Sequence, residues 1–322
     1  MPEIWIWIIV FIGTLAALVL SADLFIKVAE KVGLSLGISP FVVGVTLVAL
    51  GTSLPELVTS IAGVLKGNSE IVLGNIIGSN IANMGLVLGM VGIIGRKIEL
   101  KFDLMRVDLP IMMGASVLLY LALQNQQFSL PEAILFIAGL GFYLTYVFTS
   151  GKAEVQEKTA DGETQSDPNL RITWIDIVKL VVSIVLIYLS ANYNVEAIDF
   201  IASWFDVGNE FVAQTAVALG TSLPELVVSV VAIRRQNAEL AVGNIVGSNI
   251  FNIFCVMGIP RLLGEIAIPN SITEYGLPGL IIISALALFS LQDKVLTRWE
   301  GIMLLFCYLI YIGNLTSMQL GI

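Results

Sequence analysis

Two glutamates occupy positions that a membrane chain accommodates poorly. Glu56 lies in "GTSLPEL", residues 51 to 57, and Glu225 in the identical "GTSLPEL" of residues 220 to 226, each inside a long apolar run. A carboxylate at membrane depth is costly unless a partner charge accompanies it, so a duplicated one marks a functional site by default. Hydroxyls precede each by one turn: Thr52 and Ser53 before Glu56, Thr221 and Ser222 before Glu225. On a helix, residues three and four apart share a face, which brings these hydroxyls to the target of the carboxylate. Further along, Asn75, Ser79 and Asn83 recur every fourth residue, and Asn244, Ser248 and Asn252 repeat the pattern. Each trio makes one polar stripe along roughly 12 Å of helix. All of these groups are hard oxygen donors. Calcium takes about six to eight such oxygens in a forgiving geometry, sodium accepts the same chemistry, and magnesium fits less well because it keeps its waters.

Charge balance narrows the chemistry further. Two ionised glutamates near the bilayer centre need a counter-charge, and one calcium or two sodium ions supplies it. The two loads then exclude each other, and the doubly charged empty site resists crossing. Obligatory exchange is the expectation, and a third sodium would make it electrogenic. A channel could use the same ligands, but it would pass a single ion without a counter-ion. A hydrolase would need a nucleophile with a base, or a metal-bound water. The chain has no histidine, and its acidic pairs lack a nucleophilic setting, so the expectation is a non-enzyme without a cofactor.

The elements that position these residues are membrane helices. Hydrophobic residues make up 57% of the 322 and charged ones only 13%, which leaves no room for a soluble domain and indicates a polytopic membrane protein. Hydropathy places ten helices at 4–26, 40–65, 71–95, 107–124, 129–149, 172–192, 210–233, 238–260, 274–291 and 299–316. Polar residues 151–171 read as a flexible cytoplasmic connector between two five-helix halves, 1–150 and 172–322. Pro55 removes a backbone donor and Gly51 loosens the same turn, so the second helix is expected to break there and free the carbonyls of Ala49 to Thr52.

The motifs "GTSLPEL" and "GNIIGSNIAN"/"GNIVGSNIFN" both repeat at an offset of 169 residues. Five spans per half is an odd number, so the halves enter the membrane from opposite sides, as in transporters built from inverted repeats with a site at the midplane. With the N-terminus outside, the inner loops hold thirteen Lys and Arg, among them Lys27 and Lys31, and the outer loops only Lys66 and Arg261. Both termini are therefore expected outside. The first apolar segment lacks a basic start and a cleavage site and reads as a retained span. The acidic residues Glu196, Asp199, Asp206 and Glu210 are assigned to the outer loop after the sixth span, and Asp23 and Asn192 to solvated or capping roles near span ends. Cys255 and Cys307 read as small buried hydrophobes. The net charge of −9 is spread over short loops, and no basic patch points to nucleic acid.

The paired motifs "ALGTSLPELVTS" with "GNIIGSNIAN" and "ALGTSLPELVVS" with "GNIVGSNIFN" resemble the alpha repeats of the cation/calcium antiporter superfamily, most closely the prokaryotic sodium/calcium exchangers. The resemblance covers nearly the whole chain and implies exchange of sodium for calcium in a prokaryotic inner membrane, with calcium extrusion as the direction. It implies a calcium site made of Glu56, Glu225, Thr52 and Thr221. For sodium it implies Ser53, Ser222, Ser79, Ser248, Asn83, Asn252, Ala49 and Ala218, with the two glutamates shared. It also implies that the first and sixth spans slide as a gate. Calcium, sodium and the lipid bilayer are the partners implied, with no obligate protein partner. Asn252 stands where several relatives carry an aspartate, which argues against potassium co-transport. Both "GN" motifs lack the extra glutamate usual in the proton-coupled branch. A proton- or potassium-coupled exchanger is the alternative. The connector is too short for a large calcium-sensing domain.

Overall fold

Among the described residues ten long helices follow one another in the order expected, α1 Pro2–Leu36, α2 Pro40–Leu65, α3 Glu70–Gly95, α4 Asp108–Ala122, α5 Leu130–Ala160, α6 Trp174–Trp204, α7 Asn209–Arg234, α8 Ala238–Leu263, α9 Ile272–Leu291 and α10 Arg298–Leu320. The computed structural model describes the backbone of residues 2–160, 172–204 and 209–320. Within those it describes all side chains except those of 2–3, 151–160, 199, 202–203, 209–221, 316 and 318–320. Seven of the described helices are long and apolar enough to cross a membrane, and α4 is a shorter apolar one.

Contacts at the helix ends establish the inversion. Lys31 near the end of α1 pairs with Asp176 at the start of α6 at 2.7 Å, while Asn194 late in α6 donates to the Phe11 carbonyl and Thr14 hydroxyl early in α1, both at 3.0 Å. The first helix of each half therefore runs antiparallel to the other, as two halves of opposite orientation require. The short strands β1 Lys97–Glu99 and β2 Val295–Thr297 pair antiparallel, joining the α3–α4 and α9–α10 links. Arg235, just after α7, reaches Asp23 of α1 at 2.6 Å. These links share one end of the bundle, and the basic residues concentrate there. At the opposite end the backbone N–H of Ala267 donates to Ser69, joining the α8–α9 and α2–α3 links.

The halves repeat in detail. Reciprocal capping boxes start three of the described helices, Thr173 with Asp176 at α6 and a matching pair in the two halves: Ser129 and Glu132 start α5, and Thr297 and Glu300 start α10. In each, the acid accepts the N-cap N–H and the N-cap hydroxyl accepts the N–H three residues on, so two orphan donors are satisfied reciprocally. Thr297→Ala should cost about 1 kcal/mol, read as a lower Tm of the purified protein, and an unchanged Tm would count against the cap.

Burial separates a central set of helices from a periphery. The apolar window of α8 is buried along 100% of its length and that of α3 along 78%, against 17% for α1 and 28% for α6. Polar motifs thus ride on the enclosed helices α2, α3, α7 and α8, and α1 and α6 lie against them with wide exposed apolar surfaces. Close approach at the centre requires residues without a side chain. A Cβ on Gly44 would stand 2.5 Å from the Leu240 carbonyl oxygen, so α2 and α8 touch backbone to backbone.

Several sequence expectations are corrected here. No break occurs at Pro55: the α-helical part of α2 continues from Ala49 to Leu65 with Pro55 inside it, and α7 likewise runs through Pro224. The irregularity in α2 is instead a π turn at Gly44–Val48. Tertiary packing tolerates the bond lost at Pro55, whereas Gly44 must wrap against α8 just upstream. α1 continues ten residues past its expected end, which puts Lys27 and Lys31 on helix rather than in a loop. It stops where Gly37 takes a left-handed φ of +63° and the Ile38 N–H turns back to the Gly33 carbonyl. α5 runs through 151–160, the first part of the expected connector, and 161–171 lies outside the described residues. α6 extends to Trp204, so Glu196 and Asp199 belong to a helix; Asp206 and the Glu210 side chain lie outside the described residues. Asp23 is no cap but an ion-pair partner of both Lys27 and Arg235.

Candidate functional site

The duplicated motifs meet at the centre of the bundle. Glu56 of α2 and Glu225 of α7 are both fully buried. Ser53 of the first repeat donates to Glu225 Oε1 of the second at 3.1 Å. Thr52 crosses the other way, donating to Asn244 Oδ1 at 3.1 Å and lying 3.4 Å from the Ser248 hydroxyl, both on α8. The Ser79 hydroxyl neighbours the Glu56 carboxyl. Each repeat thus completes the polar surroundings of its mate, which sequence alone could only infer from the offset.

π turns shape the two stripe helices identically. Asn83 opens the π turn Asn83–Val87 in α3, and Asn252 opens Asn252–Val256 in α8. In both, the asparagine N–H is shared between the carbonyls three and four residues back, and the N–H five residues on bonds the asparagine's own carbonyl. Such turns concentrate at functional sites because they redirect side chains within an otherwise regular helix. The stripes are also sewn together: Asn252 Nδ2 donates to Asn80 Oδ1 at 3.0 Å, and Asn80 Nδ2 to the Asn249 carbonyl at 3.3 Å.

What remains unpaired is chemically specific. Both oxygens of Glu56, Oε2 of Glu225, Oγ of Ser222, Oδ1 of Asn75 and of Asn252 and both polar atoms of Asn83 are buried without a hydrogen-bond partner, as is Oδ2 of Asp108 on α4. Apart from the Asn83 amide nitrogen these are lone-pair donors. Leaving so many unpaired in an apolar interior is costly, and a cation is the kind of partner that such oxygens accept. Among the described residues no group of three or more His, Cys, Asp and Glu gathers anywhere, so a metal here would rest on two carboxylates and neutral oxygens. The chemistry fits sodium and calcium and offers nothing to a soft transition metal.

Comparison with known proteins agrees. The model of the family described as "Sodium/calcium exchanger protein" matches residues 6–149 and 175–316, one stretch in each half. The chain belongs to the sodium/calcium exchanger family. Among its relatives are the sodium/calcium exchanger MaX1 of Methanosarcina acetivorans, 34% identical over 95% of this chain and 97% of that protein, and the putative antiporter CaxA of Alkalimonas amylolytica, 33% identical over 94% and 96%. The solved structure of the sodium-calcium exchanger NCX_Mj soaked with sodium and calcium superposes with a TM-score of 0.80 at 28% identity, covering 96% of this chain and 98% of that one. The resemblance read from the motifs therefore stands, and the chain is an integral membrane protein of an exchanger family.

Of the twelve residues expected at the site of this exchanger-family member, Glu56, Glu225, Thr52, Ser53, Ser222, Ser79, Ser248, Asn83 and Asn252 are buried, and direct contacts join Ser53 to Glu225 and Thr52 to Ser248. The Ala49 carbonyl lies 3.3 Å from the Thr52 hydroxyl. Thr221 and Ala218 lie on α7, and their side chains are outside the described residues. Sequence reasoning gave no role to Ser60 and Ser229, both fully buried, which accept from Asn75 and Asn244 at 3.1 and 3.0 Å. Their signal was present, since they close the repeated "GTSLPELVTS" and "GTSLPELVVS" at the same offset of 169.

Proposed function

We propose that this chain exchanges sodium for calcium by alternating access, with Glu56 and Glu225 as the shared anionic core of one cation cage. The observation carrying the proposal is the set of buried, unpartnered carboxylate, hydroxyl and amide oxygens that α2, α3, α7 and α8 contribute from both repeats. In this reading calcium draws on Glu56, Glu225, Thr52 and Thr221. Sodium ions draw on Ser53, Ser222, Ser79, Ser248, Asn83, Asn252 and the carbonyls of Ala49 and Ala218. Charge decides the coupling: one calcium or two sodium ions neutralises the pair, so the loads compete and the unloaded carrier does not cross. A further sodium makes the cycle electrogenic. The chain acts as a transporter rather than an enzyme and needs no cofactor or protein partner. The basic end faces the cytoplasm of a prokaryotic cell, the termini lie outside, and calcium leaves the cell.

Proteoliposomes loaded with sodium and diluted into sodium-free buffer test this directly. Calcium uptake is expected to require internal sodium, to ignore a proton ionophore and external potassium, and to quicken under an inside-positive potential. Uptake that follows the proton gradient, or that demands potassium, would replace sodium as the coupling ion and leave the cage in place.

A further inference from the structure

We propose that Asn244, anchored by Ser229, is a positioning residue that holds the Thr52 hydroxyl with its lone pairs toward the cation. The inference rests on the reading of Thr52 as a cation ligand. A threonine hydroxyl has one proton and two lone pairs, and in a helix it commonly spends the proton on a carbonyl three or four residues back. Thr52 has such a carbonyl, that of Ala49, at 3.3 Å, yet Asn244 Oδ1 on the facing helix lies nearer at 3.1 Å. By taking the proton, Asn244 keeps the hydroxyl oxygen available as an acceptor and spares the Ala49 carbonyl, itself an expected sodium donor. One acceptor therefore frees two ligands.

The orientation of the amide decides whether this works. Asn244 Nδ2 donates to Ser229 Oγ at 3.0 Å, and both residues are fully buried. In this arrangement Oδ1 faces Thr52; a flipped amide would present a donor to the hydroxyl and consume a lone pair. Ser229 lies one turn beyond Glu225 on α7, so the same bond ties the stripe helix α8 to the carboxylate helix of its own repeat. The first repeat has the matching anchor: Asn75 Nδ2 donates to Ser60 Oγ and to the Glu56 carbonyl, each at 3.1 Å. Simple interhelical adhesion would be indifferent to which end of the amide faces Thr52, whereas positioning requires an acceptor there.

A double-mutant cycle distinguishes the two roles. Half-saturating calcium would be measured in sodium-loaded proteoliposomes for wild type, Asn244→Ala, Thr52→Val and the pair, with maximal rate followed separately. Asn244→Ala is expected to raise half-saturating calcium about tenfold, the net size of one hydrogen bond, with little change in maximal rate, and to add nothing once Thr52→Val is present. Multiplying effects in the double mutant, or a fall in maximal rate alone, would overturn the assignment. Should Asn244→Ala fail to fold, Ser229→Ala carries the same cycle, with a smaller loss expected and the same silence behind Thr52→Val. Wild-type exchange is read in the same assay, so a failure of the sodium/calcium reading shows as absent wild-type uptake, apart from the ratios that test Asn244.

Discussion

Glu56→Gln and Glu225→Gln are each expected to abolish sodium-dependent calcium uptake while leaving a folded protein. The side chains are fully buried, and glutamine keeps their volume, so packing survives the exchange. The charge does not survive. Removing one partner of a buried charge pair costs about 3–5 kcal/mol, roughly two to three orders of magnitude in affinity, and calcium loses half of its compensating charge. Glu225→Gln also presents an amide to Ser53, whose hydroxyl now donates to Oε1 at 3.1 Å. Sodium should suffer less than calcium, because one remaining carboxylate still balances one monovalent ion. Calcium uptake together with calcium-induced thermal stabilisation checks the prediction. A variant that transports at even a tenth of the wild-type rate would remove its glutamate from the cage. The double variant should be no worse than either single one, since residues that act as a unit do not contribute additively.

Legibility in the sequence followed the physics of each feature. Apolar runs report bilayer thickness, so the existence and order of ten spans could be read directly. The same runs say little about where helices stop. α1 carries on through Lys27, Glu30 and Lys31 because charged residues on a helix emerging from the bilayer find water and one another, and only Gly37 ends it. The inverted repeat was legible because a single offset aligned both motifs, and that offset also relates the π turns at Asn83 and Asn252. The turns themselves were not legible. A π turn arises from how a helix packs against its neighbours, and no residue type in "NMGLV" or "NIFCV" announces one. Pro55 misled for a related reason: proline weakens one helical bond, but Thr52 and Ser53 are held in place from α7 and α8, and the enclosed helix keeps its course through it. Ser60 and Ser229 were overlooked because a serine in an apolar helix usually bonds its own backbone, and only the facing helix shows which of them accepts from an asparagine.

Gly247→Ala is the smallest substitution expected to damage the whole site. A Cβ at Gly247 would run into the Val45 carbonyl and stand 2.7 Å from Val45 Cα and 2.8 Å from Ala49 Cβ. The obstacles are mostly backbone, so no rotamer change relieves them and α2 must move away from α8. The contacts that then lengthen are the two made by Thr52, with Asn244 and Ser248, one turn beyond Ala49. Overpacking of this kind costs about 1–3 kcal/mol of stability, and the loosened hydroxyl should lower calcium affinity in the same variant. Gly141→Ala supplies the opposite sign. That glycine lies exposed on α5, and its new Cβ would meet nothing within 4 Å. Exchanging it for alanine should be neutral or stabilise by up to about 1 kcal/mol, through helix propensity. Measured side by side as Tm and half-saturating calcium, a loss in Gly247→Ala with none in Gly141→Ala identifies the α2–α8 backbone contact as the support of the cage; equal behaviour of the two variants would separate that contact from ion binding.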